Sequence, residues 1–125
     1  MSPPRAIRGD GTAEAAWRSW DGLERCKPVA LDAVLPQDAR LVIVAPHPDD
    51  ELLTCGGLLA LHAARGSRCL VVSVTDGEAS HAGLPDWDAL GLAARRAAER
   101  RTGLDRLGAN ATDVIRIGLP DAAVR

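Results

Sequence analysis

The segment 41–51, LVIVAPHPDDE, restricts the fold of this chain more than any other stretch. Leu41–Ala45 is an unbroken apolar run that is too short for a helix and is ended by Pro46. Such a run is typical of a strand buried on both faces, as in a parallel sheet. His47 and three carboxylates follow it directly, and a helical pattern begins at Leu52. Open α/β sheets bind their ligands at this position, at the carboxyl end of a buried strand.

A further apolar run at 69–74 predicts a second strand, and residues 114–117 are predicted to be the third. A helical pattern over 51–65 separates the first two strands, so we expect parallel pairing with a right-handed crossover. A longer helix is predicted over 87–107, capped by Asp86. The sequence therefore predicts an α/β fold, a partial Rossmann-like parallel sheet flanked by helices, with strand order 3-2-1 or 2-1-3.

The long predicted helix is rich in arginine, and a run of arginines on a helix is usually a solvated face. We expect its inner face to be apolar, formed by Ala89, Leu90, Ala93, Ala97 and Leu104. Its charged side chains are predicted to point mostly outward: Arg95, Arg96, Glu99, Arg100 and Arg101.

The turn after the first strand has the residue types of a metal site. Imidazole and carboxylate suit Zn²⁺ or Fe²⁺, and His47 and Asp50 are three residues apart across the bend. Pro46 and Pro48 stiffen this bend and orient its side chains. Asp49 then lies beside the ion without binding it, where a general base for an activated water must stand.

A second interpretation of the same residues stays open. Pro-Asp-Asp-Glu before an apolar run also suits a helix N-terminus, with a capping aspartate and acids that complement the helix dipole. Capping does not account for His47 or for the two prolines. After the second strand, Asp76 and Glu78 reach the same sheet edge, either as partners that orient His47 or as parts of a solvated turn.

Four motifs in order resemble one family. They are APHPDDE with the following Leu52, Leu53 and Gly56-Gly57; TDGEASH at 75–81; Arg96-x-x-Glu99; and Gly118-Leu119-Pro120-Asp121. Together they are similar to the LmbE-like (PIG-L) family of zinc-dependent N-acetylglucosaminide deacetylases, from about residue 40 to the end of the chain.

This resemblance implies metal-dependent removal of an N-acyl group, an acetyl group in the family, from an amino sugar or its conjugate. It implies zinc on His47 and Asp50, with Fe²⁺ as the alternative, and Asp49 as the catalytic base. Arg96 and Asp121 are implied as substrate-binding residues. The competing hypothesis is an inactive fragment or pseudoenzyme that keeps the α/β fold as a binding module. A nucleotide-binding module has little support, because no G-x-G-x-x-G follows either of the first two strands.

The resemblance also implies a third zinc ligand from a later histidine, and His47, His62 and His81 are the only histidines in the chain. Three protein ligands are usual in a catalytic zinc site. We therefore expect residues 39–125 to be the N-terminal part of a deacetylase domain and residues 1–125 alone to be inactive. Residues 1–38 are predicted to be an extension whose helix, 13–23, carries Trp17 and Trp20.

Composition restricts the partners. The 125 residues carry a net charge of −2 with both signs interspersed, so we expect neither a nucleic-acid nor a membrane partner. The expected partner is a small N-acyl amino sugar. The three cysteines form no C-x-x-C pair and no signal peptide is recognisable, which favours a reducing, cytoplasmic compartment. Oligomeric state is not predicted.

Overall fold

The structure is a computed structural model that describes residues 11–22, 24–80 and 88–121. The predicted positions of His81, Asp86 and Trp87 lie outside these ranges. Contacts divide the chain into two compact units, Met1–Ala30 and Leu31–Arg125. The first unit holds α1 (Glu14–Arg18), which is shorter than predicted. In this unit Trp17 and Trp20 meet edge to face, with ring centroids 5.7 Å apart.

The second unit is a parallel three-stranded sheet with helices. Its elements in chain order are α2 (Leu31–Val34), β1 (Leu41–Ala45), α3 (Asp50–Leu53), α4 (Gly56–Ala64), β2 (Cys69–Thr75), α5 (Ala89–Arg106) and β3 (Asp113–Leu119). β2 lies between β1 and β3 and pairs in parallel with both. The predicted α/β fold is confirmed, and of the two strand orders offered, the sheet has 3-2-1.

One face of the sheet carries the core. Ile43 of β1 pairs with Val71 of β2, and Val71 pairs with Val114 of β3, on the face that is buried. Val42 and Val44 point to the other face and are exposed. The prediction that β1 is buried on both faces is therefore wrong for the part of the chain that the structure describes, because the described helices cover one face.

The helix predicted over 51–65 is divided into α3 and α4. The division falls at Thr54, whose hydroxyl donates to the carbonyl of Asp50 at 2.5 Å, and at Cys55, whose φ of −121° is not helical. Side-chain bonding to the backbone of the preceding turn competes with helix continuation. α4 ends before Gly66, the predicted stop, which has a φ of +73°.

α5 begins at Ala89, where the Asp88 carboxylate accepts from the backbone N–H of Gly91 at 2.6 Å. The predicted faces of this helix are partly wrong. Leu104 is buried as expected, but Leu90 is exposed, and Leu92 and Arg100 are buried. These buried side chains are four or eight positions apart and therefore lie on one face of α5. Arg100 can be buried there because it forms an ion pair with the buried side chain of Glu51. Among the described residues, no helix has the length and apolar character to cross a membrane.

Candidate active site

The edge formed by the carboxyl ends of the strands is fixed by bonds between neighbouring segments. Thr75, the last residue of β2, donates to the carbonyl of Pro46 twice, from its backbone N–H at 3.1 Å and from its hydroxyl at 2.8 Å. Pro46 is the first residue after β1. The start of the His47 turn is therefore tied to the end of the central strand.

His47 and Asp50 lie together in this turn. The backbone N–H of His47 donates to Asp50 Oδ2 at 2.9 Å, and the same oxygen lies 3.4 Å from His47 Nδ1. Two ligand atoms of a tetrahedral zinc, at bond lengths of about 2.0–2.2 Å, are about 3.3–3.5 Å apart. The pair therefore fits two positions of a zinc site.

Asp121 approaches the opposite ring nitrogen, with Oδ1 3.4 Å from His47 Nε2. The distance alone does not choose between Asp50 and Asp121 as the ligand. The side chain of Asp121 is 8% exposed, against 34% for Asp50, and its Oδ2 accepts from the N–H of Ala79 at 3.1 Å. The Asp121 N–H in turn donates to Glu78 Oε1 at 2.8 Å. Asp50 is thus the more accessible carboxylate beside the imidazole.

Asp49 stands at the N-terminus of α3 but does not cap it through its side chain. Its carboxylate lies 3.3 Å from Arg96 Nη2, and the Asp50 carboxylate is directed to His47. The predicted side-chain cap is therefore absent, whereas the acids predicted for the first turn of α3 are present as Asp50 and Glu51. The metal and base roles of His47, Asp49 and Asp50 stay predictions.

Arg96 reaches the site from α5. Its side chain is 19% exposed, and its Nε is buried without a hydrogen-bond partner among the described residues. A Cβ at Gly77 would lie 3.3 Å from this nitrogen and 3.0 Å from the ring of Pro48. Gly77, with a φ of +69°, thus allows Arg96 and the His47 turn to pack closely. The contact of Arg96 with a sugar stays a prediction.

Asp76 bonds to Arg116 through both carboxylate oxygens, at 2.8 and 2.7 Å. The Arg116 guanidinium hydrogen-bonded to Asp76 lowers the pKa of that carboxyl below its ordinary value.

The carboxylates that the structure brings to the ring of His47 are Asp50 and Asp121. The contact of Asp121 with His47 was missed from the sequence, since β2 separates β3 from β1 and the contact depends on the bonds of Asp121 to Glu78 and Ala79 after β2.

No group of three or more His, Cys, Asp or Glu side chains within the described ranges is arranged to hold a metal. The described part of the chain brings His47 and Asp50 together as a pair, and their role as metal ligands stays a prediction.

Comparison with known proteins identifies the family. Residues 42–125 match the PIG-L family, described as GlcNAc-PI de-N-acetylase. The chain belongs to this family, and the resemblance of its motifs is confirmed.

Two curated relatives are named for the same activity, the deacetylation of an inositol glycoside. The 1D-myo-inositol 2-acetamido-2-deoxy-alpha-D-glucopyranoside deacetylase 1 of Saccharopolyspora erythraea is 48% identical over 58 residues, covering 46% of this chain and 18% of the relative. The corresponding deacetylase of Rhodococcus erythropolis is 38% identical over 78 residues, covering 58% of this chain and 26% of the relative. The matches thus span about a quarter or less of these relatives.

Solved structures share the fold. The N,N'-diacetylchitobiose deacetylase of Pyrococcus horikoshii has a TM-score of 0.67 at 21% identity, covering 95% of this chain and 43% of that chain. GalB, the 4-carboxy-2-hydroxymuconate hydratase of Pseudomonas putida KT2440, has a TM-score of 0.60 at 23% identity, covering 69% of this chain and 36% of that chain. Because these two proteins have different named activities, the fold alone does not assign a reaction.

Proposed function

We propose that this protein is a zinc-dependent hydrolase that removes the acetyl group from the N-acetylglucosamine unit of a small glycoside. The observation that carries the proposal is the position of Asp49 between His47 and Asp50 at the carboxyl end of β1, inside a family match over residues 42–125. The two curated relatives described above, both named as deacetylases of an inositol glycoside of this sugar, support the substrate class.

His47 and Asp50 would hold the metal, with Fe²⁺ as the alternative to zinc. When bound, the metal would supply Lewis acidity toward water and toward the acyl carbonyl. Because catalytic zinc has three protein ligands in most sites, we propose that the remaining ligand comes from outside the described ranges.

Asp49 would act as the general base and then as the general acid. Its carboxylate would take a proton from water as the water oxygen attacks the acyl carbon, and would then deliver that proton to the amine nitrogen as the C–N bond breaks. The products are acetate and the free amino sugar. The bond from Arg96 Nη2 holds the Asp49 carboxylate in one orientation, while the carboxylate is 40% exposed and open to water.

Arg96 and Asp121 would bind the sugar. Both lie at the rim of the His47 turn, Arg96 from α5 and Asp121 after β3. A guanidinium donates and a carboxylate accepts, so together they can bind the hydroxyls of one pyranose ring. The shared edge of the sheet would thus provide the metal ligands, the base and the sugar contacts.

The proposal is tested with the protein expressed from its complete coding region. Purified protein is incubated with N-acetylglucosaminyl-inositol and with N,N'-diacetylchitobiose, and free amine and acetate are measured. We expect equimolar amine and acetate, a loss of release after chelation, and recovery when zinc is added. Absence of release from both substrates by zinc-loaded protein would contradict the proposal.

A further inference from the structure

A buried ion pair lies beneath the turn that carries the candidate site. Arg100 Nε donates to Glu51 Oε1 at 2.8 Å, and the two side chains are 3% and 0% exposed. Arg100 Nη2 also donates to the hydroxyl of Ser73, a fully buried residue of β2, at 2.7 Å. One arginine of α5 therefore joins α3 to the central strand.

The hydrogen bonds continue from this pair to the other end of the turn. The Ser73 hydroxyl donates to the carbonyl of Thr75 at 3.0 Å. Thr75 donates to the carbonyl of Pro46 from both its N–H and its hydroxyl. Because Pro46 precedes His47 and Glu51 follows Asp50, the network holds the turn at both of its ends.

Stability does not account for this arrangement. Replacing a buried ion pair by apolar side chains of similar volume is often neutral or stabilising, since two desolvated charges are costly. Here the free-energy cost of desolvating the pair is increased by Glu51 Oε2, which is buried without a hydrogen-bond partner among the described residues. A role in fixing local geometry explains why the charges are tolerated.

We infer that Glu51 and Arg100 are positioning residues, which hold the turn from Pro46 to Asp50 in the conformation that brings His47 and Asp50 together. Neither side chain is accessible to a substrate. The consequence for zinc rests on the proposed function, whereas the effect on the turn itself does not.

The test is the double variant Glu51→Leu, Arg100→Met, which removes both charges and keeps similar volumes. Amide hydrogen exchange is measured without metal at Thr75, whose N–H bonds to Pro46, and at Leu53, whose N–H bonds to Asp49. We expect exchange at least tenfold faster at both amides. The amide of Leu41, bonded to Arg68 at the opposite end of the sheet, serves as the internal reference and should not change.

The matched control is Arg40→Met, Asp113→Asn, which removes a largely exposed ion pair of the same unit. It should leave exchange at Thr75 and Leu53 unchanged. The zinc dissociation constant of each variant is measured by competition with a chelator. We expect it to rise at least tenfold in the Glu51, Arg100 variant and to stay within about twofold in the control.

Unchanged exchange at Thr75 and Leu53 in the folded double variant would overturn the inference. Faster exchange with unchanged zinc affinity would overturn it as well, because the placement of His47 and Asp50 would then not depend on the pair. If the parent protein binds no zinc, the proposed function fails, and exchange alone decides the positioning role. Should the double variant not fold, Ser73→Ala replaces it, with at least threefold faster exchange expected at Thr75 and an unchanged rate as the contradicting result.

Discussion

Arg96 Nη2 lies 3.3 Å from Asp49 Oδ2, and this contact joins two residues that are 47 positions apart in the sequence. Arg96 comes from the middle of α5, whereas Asp49 stands at the N-terminus of α3. The arginine thus touches the side chain proposed as the base, in addition to the sugar contact that the family resemblance implies. Its removal should affect both chemistry and substrate binding.

We predict that Arg96→Ala lowers kcat/KM by roughly ten- to a hundredfold with zinc content unchanged. A charge-assisted hydrogen bond is worth about 1.5–3 kcal/mol, which corresponds to this range. The measurement is steady-state kinetics on the protein from the complete coding region, with metal analysis of the same samples.

The control for Arg96 is Arg101→Ala, since Arg101 donates to backbone carbonyls of Asn110 and Thr112 away from the turn. It should change kcat/KM little. Arg100 is unsuitable as a control because its side chain is buried and ion-paired with Glu51. Equal losses for Arg96→Ala and Arg101→Ala, or no loss for Arg96→Ala, would contradict a specific role of Arg96 at the site.

The two carboxylates beside His47 are predicted to differ in role. Asp50→Ala and His47→Ala should each abolish stoichiometric zinc, because each removes one of the two ligands proposed within the described residues. Asp121→Ala should keep zinc and lower kcat/KM roughly ten- to a hundredfold through the lost sugar contact. Metal content by elemental analysis separates the two cases. Loss of zinc in Asp121→Ala would assign the metal to the other ring nitrogen of His47.

Much of the fold follows from local patterns. The bounds of β1 match the apolar run before Pro46, and the parallel pairing follows from the strand–helix–strand spacing. The exposed face of β1 could not be predicted, since an unbroken apolar run does not tell which face the helices cover. The inward position of Arg100 depends on a partner 49 positions away, and no local pattern encodes such a pair.

The candidate site was only partly predictable. His47, Asp49 and Asp50 lie within four consecutive residues, so their residue types were enough to group them. The approach of Asp121 to His47 depends on bonds from the segment after β3 to Glu78 and Ala79 after β2, and no local sequence pattern encodes these bonds. The bonding of Asp76 to Arg116 also depends on β2 and β3 being neighbours.

The 125-residue chain by itself is predicted to bind zinc weakly and to release no acetate from N-acetylglucosaminides. Two ligands, His47 and Asp50, are proposed within its described part, and a catalytic zinc usually has three. Titration with zinc and an acetate assay on the isolated chain provide the check. Metal-dependent acetate release by this chain alone would show that it holds a complete site.

The Asp76–Arg116 pair should make stability depend on pH in the acid range. Arg116 lowers the pKa of Asp76 in the folded state, so between the folded and the unfolded pKa the unfolded chain binds more protons. The contribution is complete above the unfolded pKa, at about 3.9, and is lost as pH falls through the folded value.

The variant Asp76→Asn measures this contribution. Because Arg116 is about half exposed, we expect a loss of only about 0.2–1 kcal/mol in the free energy of unfolding at pH 7. The difference from the parent should shrink as pH falls below about 4. Urea unfolding across this range is the measurement, and a difference that grows toward acid pH would contradict the assigned sign.

The central claim, that Asp49 transfers the proton at a metal held by His47 and Asp50, is tested most directly by Asp49→Asn. This change keeps the size of the side chain and removes its ability to accept a proton. In the protein from the complete coding region, zinc content and acetate release are measured on the same preparation. The account predicts stoichiometric zinc with a loss of kcat of at least about a hundredfold. Near-normal turnover with zinc bound would contradict it.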